Sequence, residues 1–165
     1  MSGTALRGPA ALTFAGCLAV TLMAVSGVFL DNPGAIPLSE AGRAVLVLTV
    51  LSAVLVAVAF AVPALRAAAP VLPVALFALF KFHVLLAFAA AVGLKYYGAM
   101  AAGFAVIALL TWAAAGIVRQ YPPAAAARVI ATVAILPAAV SMTLVALDLA
   151  RDTSDLDAVV ARTVP

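Results

Sequence analysis

Lys81 and His83 are the two residues of this sequence that packing alone explains least well. Both fall inside Ala67–Leu94, a stretch otherwise free of charged side chains. With a helix over 70–94, Lys81 stands near its middle, and in a bilayer that is close to the midplane. A lysine at that depth costs about 2.5–3.5 kcal/mol on insertion scales, and snorkelling to the interface is a poor escape from there. Ionisable groups inside a membrane usually face the bundle interior and pair with something. Three outcomes relieve this one. The amine can shed its proton, or bond to hydroxyls and freed carbonyls around Pro137, Ser141 or Thr143, or meet an acid on another polypeptide or an anionic ligand. A structural lysine with no transport or catalytic role is the competing reading.

His83 follows two residues later, about 200° around an α-helix. The two side chains therefore point to opposite faces and cannot hold one ion jointly on a straight helix. His83 is expected to be a structural histidine bonded to a neighbouring helix. Phe77 and Phe88 fall near the Lys81 face, with Phe80 and Phe82 to either side. These rings read as packing and lipid contacts rather than as a cofactor box.

The remaining polar inventory excludes more than it offers. Cys17 is the sole cysteine, which rules out an intramolecular disulfide and any multi-cysteine metal site. A single histidine rules out a haem held by two histidines of this chain. No acid accompanies His83 in a hydrophobic stretch, so no Ser/His/Asp set exists, and no phosphate-cradling glycine loop appears. No cofactor is expected, and the sequence leans away from an enzyme. Thr13, Cys17 and Thr21 form an i, i+4, i+8 stripe with Gly16 and Ala24 beside it. Ala89 to Gly93 and Ala99 to Gly103 have the small-xxx-small spacing that lets helices approach closely. Trp112, with Thr111, is expected to anchor packing within its helix.

The elements that position these residues follow from composition. Of 165 residues, 68% are hydrophobic and 9% charged, with a mean hydropathy of +1.30. Soluble domains carry about a quarter charged residues, and one this small could not hide so much apolar surface. The uncharged runs Gly8–Leu30, Ala44–Leu65, Ala67–Leu94 (apart from Lys81), Tyr96–Val118 and Val129–Leu147 each approach or exceed the roughly 20 residues that cross a hydrocarbon core. Backbone groups in lipid must be satisfied within the segment, so helices are required. The reading is an all-α integral membrane protein, a compact bundle of about five transmembrane helices with short loops. The helices are placed at 10–30, 44–65, 70–94, 98–118 and 128–148, within a bundle over 1–148.

Turn chemistry agrees with these limits. Asp31-Asn32-Pro33-Gly34 is a turn cluster, and Ser39-Glu40 suits the start of helix 2. Pro70 and Pro73 fit the opening turn of helix 3. Lys95-Tyr96-Tyr97-Gly98 and Gln120-Tyr121-Pro122-Pro123 read as interfacial turns. Pro137, midway through helix 5, is expected to kink it. The polar tail 149–165 is expected to fray, with a short helix along the membrane surface as the alternative. The first stretch reads as a retained helix, because its apolar run is longer than a signal peptide's.

Alternate crossings put Arg7, Arg66, Arg119 and Arg128 on one face with no acid. Arg43, Lys95, Arg151 and Arg162 share the other with all six acids. That four-to-four tie leaves the positive-inside rule undecided by count; the tail position of the last two arginines favours N-terminus inside and C-terminus outside. The alanine-rich composition points to a bacterial cytoplasmic (inner) membrane. There is no basic stripe, so nucleic acid is not a partner; the lipid bilayer is, and other membrane protein subunits are expected, one of them acidic opposite Lys81. The leading functional expectation is a non-catalytic accessory or structural subunit of a larger membrane complex. A small transporter or channel using Lys81 as its charge follows, and an enzyme acting on a lipid or quinone comes third.

Overall fold

The computed structural model describes residues 4–31, 38–92 and 97–163. Among the described residues there are five α-helices, α1 (Thr4–Asp31), α2 (Leu38–Ala61), α3 (Leu72–Val92), α4 (Tyr97–Gln120) and α5 (Pro123–Thr163), with a 3-10 turn at Ala69–Val71 before α3. Each has a span long and apolar enough to cross a bilayer. The protein is an all-α bundle of the integral membrane class.

Boundaries moved where proline chemistry acts. Helix 2 was placed at 44–65; α2 starts at Leu38, where Ser39-Glu40 suits a helix start, and stops short at Ala61. Pro63 is the reason, because its ring disfavours helical geometry at the preceding residue. The chain turns through 62–68, where Arg66 Nε donates to the Phe60 carbonyl at 3.0 Å and satisfies an end of α2. Pro70 and Pro73 sit buried where α3 opens, as their missing amides allow. Between α4 and α5 only Tyr121 and Pro122 intervene. The Pro122 carbonyl accepts from the amides of Ala125 and Ala126, and Pro123 is the first helical residue. The expected turns at Asn32–Gly34 and at Lys95–Tyr96 lie outside the described residues.

The tail is helical, not frayed. α5 continues without interruption to Thr163, because no glycine or proline follows Pro137 until Pro165. Pro137 lies inside this helix, which runs through it.

α1 is the axis of the bundle. It is much the most buried of the five, and α2, α3 and α5 gather around it, while α4 joins the bundle mainly through α3. The most extensive seam of α1 is with α5, followed by those with α2 and α3. In lipid there is no hydrophobic drive between helices, and small residues that permit close backbone approach take over. The expected stripe does this: Thr13, Cys17, Thr21 and Ala24 are all buried. Gly16 is the tightest point. A β-carbon there would lie 2.9 Å from Pro73 Cγ and 3.4 Å from the Ala131 Cα, so one missing side chain lets α3 and α5 both touch α1. Opposite, α5 contributes buried Ala126, Ala127, Ala131 and Ala138. On the other flank Cys17 packs with Val56, Ala59 and Phe60 of α2 and with Ala69.

Among the described residues no hydroxyl bond joins one helix to another. Thr49, Thr111, Thr132 and Thr143 each donate to the carbonyl four residues back in their own helix, and Ser26 donates to Met23 three back. Thr13 Oγ1 is buried without a partner among the described residues.

The Gly16 contact is testable. Gly16→Ala should destabilise the bundle by about 1–3 kcal/mol through overpacking. Gly27→Ala, with open space around the new methyl, should be neutral or stabilising by up to about 1 kcal/mol. Unfolding both variants by SDS titration in mixed micelles separates them; equal midpoints would show that the α1 seam is not set by close approach at Gly16.

Candidate functional site

α3 delivers Lys81 to the middle of the membrane. It stands one residue beyond the centre of the Ala69–Ala91 span, about 18 Å along the helix axis from the start of that span. Its side chain lines a half-open cavity of about 590 Å³ between α1, α3, α4 and α5. The cavity exists because these helices part company there: α4 and α5 are joined by a two-residue link but touch sparsely, as do α3 and α5. Val20 and Met23 of α1 close one wall, Leu110 and Ile117 of α4 another.

The amine's surroundings are almost wholly apolar. Lys81 Nζ lies 5.8 Å from the Phe77 ring centroid and 5.7 Å from that of Phe80. Neither distance is close, so each contact supplies about 0.5–1 kcal/mol. Together they fall short of the roughly 2.5–3.5 kcal/mol that a midplane lysine costs. Among the described residues Lys81 forms no hydrogen bond or ion pair. Among the described residues no bond joins it to the suggested hydroxyls of Ser141 or Thr143; Thr143 donates to the Ala139 carbonyl of its own helix.

Pro137 lines the same cavity, together with Val133 one turn earlier. Lacking an amide hydrogen, Pro137 deprives the Val133 carbonyl of its usual helical donor. A cation and a spare backbone acceptor thus belong to facing walls. Two of the three singled-out residues, Lys81 and Pro137, are brought together.

His83 is not part of this arrangement. It is exposed, does not line the cavity, and forms no hydrogen bond to a neighbouring helix among the described residues, contrary to expectation. The separation of Lys81 and His83 onto different faces holds. Trp112 also departs from expectation: it is 75% exposed and anchors nothing inside the bundle, because α4 is peripheral. The real α3–α4 contacts lie elsewhere. Gly103 receives the Leu85 side chain, and Phe82 meets Phe104 edge-on with centroids 5.5 Å apart.

The cavity has a direction. Pro73, Ile117 and Val129 lie toward the ends of α3, α4 and α5 that carry Arg66, Arg119 and Arg128, whereas Lys81, Leu110 and Pro137 lie deeper. Among the described residues no group of histidine, cysteine and carboxylate side chains could hold a metal ion. What the site offers is one under-compensated cation in an apolar recess, suited to holding an anion. The recess was not legible in the sequence; small residues such as Ala113, Ala114 and Ala134 on the walls were its only signal.

If Lys81 has no structural task, its removal should relieve the fold. Lys81→Met should raise the SDS unfolding midpoint, corresponding to a stabilisation of about 0.5–2.5 kcal/mol once the lost ring contacts are subtracted from the midplane cost. A clear loss of stability would show that Lys81 is structural.

Compared with protein-family models, with curated proteins and with solved structures, the chain matches none.

Proposed function

We propose that this chain is a small transporter or channel in which Lys81 is the intramembrane charge that binds an anion. The supporting observation is the midplane ammonium lining a cavity of about 590 Å³, with no carboxylate of this chain at that depth. Magnitude favours a ligand over a partner helix as the occupant. Small-molecule sites run about 300–1,000 Å³, while a helix about 10 Å wide crossing a core of about 30 Å fills several times that volume. The acid-free face with Arg7, Arg66, Arg119 and Arg128 attracts anions toward the same end of α3, α4 and α5.

The second reading is the accessory subunit of a larger complex. The thin burial of α3 and α4, 6% of each span, supports it by leaving their outer faces free for another subunit. In that case the charge on Lys81 meets an acid of the partner.

We further place the chain in a bacterial cytoplasmic membrane with its N-terminus inside. A C-terminal alkaline phosphatase fusion should then be active and a fusion after Tyr121 inactive; the reverse pattern inverts the topology.

Proteoliposomes reconstituted with the full chain should show saturable flux of organic anions, read with a voltage-sensitive dye and absent from empty liposomes. Lys81→Met should abolish it, and Lys81→Arg should retain a measurable part. Flux unaffected by Lys81→Met removes the transport reading. Stoichiometric co-purification of another membrane protein, lost in Lys81→Met, supports the subunit reading in its place.

A further inference from the structure

The walls around Lys81 restrict what kind of anion fits. Lys81 is the one lining residue with a charged or hydrogen-bonding side chain; the others are aliphatic, Phe77, Met23 or proline. A sugar, a nucleotide or any ligand with several polar groups would leave most of them buried and unpaired. A bare inorganic anion would lose its hydration for a single donor and leave most of the volume without contacts. A cationic amphiphile is repelled at the deep end. A two-chain phospholipid keeps its headgroup at the interface, about 15 Å from the midplane where Lys81 stands. What remains is a ligand with one anionic group and one apolar body.

Resting on the reading of Lys81 as a binding charge, we propose that the cavity takes a single-chain amphiphilic monoanion, a long-chain carboxylate or its like. Its head lies at Lys81, and its chain runs along Val74, Ile117 and Val129 toward the arginine-bearing end. Phe77 and Leu110 line the cavity beside the head. This pose is inverted relative to a bilayer lipid, whose head never sits at the midplane. It therefore corresponds to a head caught halfway across, as transport of such an acid requires. Arg119, two residues beyond Ile117, and Arg128, beside Val129, supply attraction at the outer end of the same walls.

The test uses the full chain in phosphatidylcholine nanodiscs, with empty nanodiscs as the partition blank. Retention of labelled hexadecanoate is compared with that of hexadecanol, hexadecyltrimethylammonium and acetate. Hexadecanoate should bind saturably, and the alcohol and the cationic amphiphile at least about tenfold more weakly. Acetate should not compete at equal concentration. Lys81→Met should weaken hexadecanoate binding at least about tenfold, and Lys81→Arg should restore most of it. Ala134→Phe, which fills the recess without touching the charge, should also block binding. Equal retention of acid and alcohol, or a Lys81→Met variant that binds normally, overturns the proposal. Acetate that binds as well as hexadecanoate overturns the amphiphile inference alone and leaves the anion-transport reading standing. If no probe binds while an acidic membrane subunit co-purifies through Lys81, both fall.

Discussion

Everything in this bundle depends on how closely helices can approach in a solvent as apolar as their own side chains. Lipid gives no reward for burying leucine against leucine, so association rests on dispersion between backbones brought near each other. At Gly16 three helices meet because one of them lacks a side chain. The alanines of α5 continue the same logic along its buried face. The hydroxyls of Thr49, Thr111, Thr132 and Thr143 are committed to their own backbones and that of Thr13 has no partner among the described residues, which leaves shape as the main source of cohesion.

The same constraint explains why the recess forms where it does. Close packing is concentrated on α1, while α3 and α4 run along its margin with little of their surface covered. A gap between thinly packed helices would ordinarily be closed by larger apolar side chains. Here small residues on α4 and α5 keep it open, and Lys81, itself exposed on α3, lines its edge. The energetics run in one direction. Two distant aromatic rings do not offset the desolvation of an ammonium at the midplane. By these magnitudes Lys81 lowers the stability of the bundle unless something pairs with it.

The number and nature of the helices were readable from uncharged run lengths, because the bilayer thickness imposes that scale on any chain. The buried stripe Thr13–Cys17–Thr21 was readable from helical periodicity. Three things were not. The end of α2 depended on Pro63, a local steric effect hidden within a hydrophobic run. The exposure of Trp112 depended on which face of α4 meets a neighbour, and in a helix apolar all round no periodic signal marks that face. The helical tail of α5 depended on the absence of breakers, which polarity alone had masked. For the site, the depth of Lys81 and the lack of an acid were plain in the sequence. That Pro137 shares its cavity is a tertiary fact, arising from the way α3 and α5 both lean on α1.

Cys17 lies on the face of α1 that meets α2. It is fully covered, held under Val56, Ala59 and Phe60 of α2. A thiol so placed has no surface chemistry to offer in the folded state. A reagent can reach it only in the instants when α2 lifts from α1, so its modification rate counts those excursions. The lone cysteine thus acts as a built-in clock for the breathing of the seam opposite the recess.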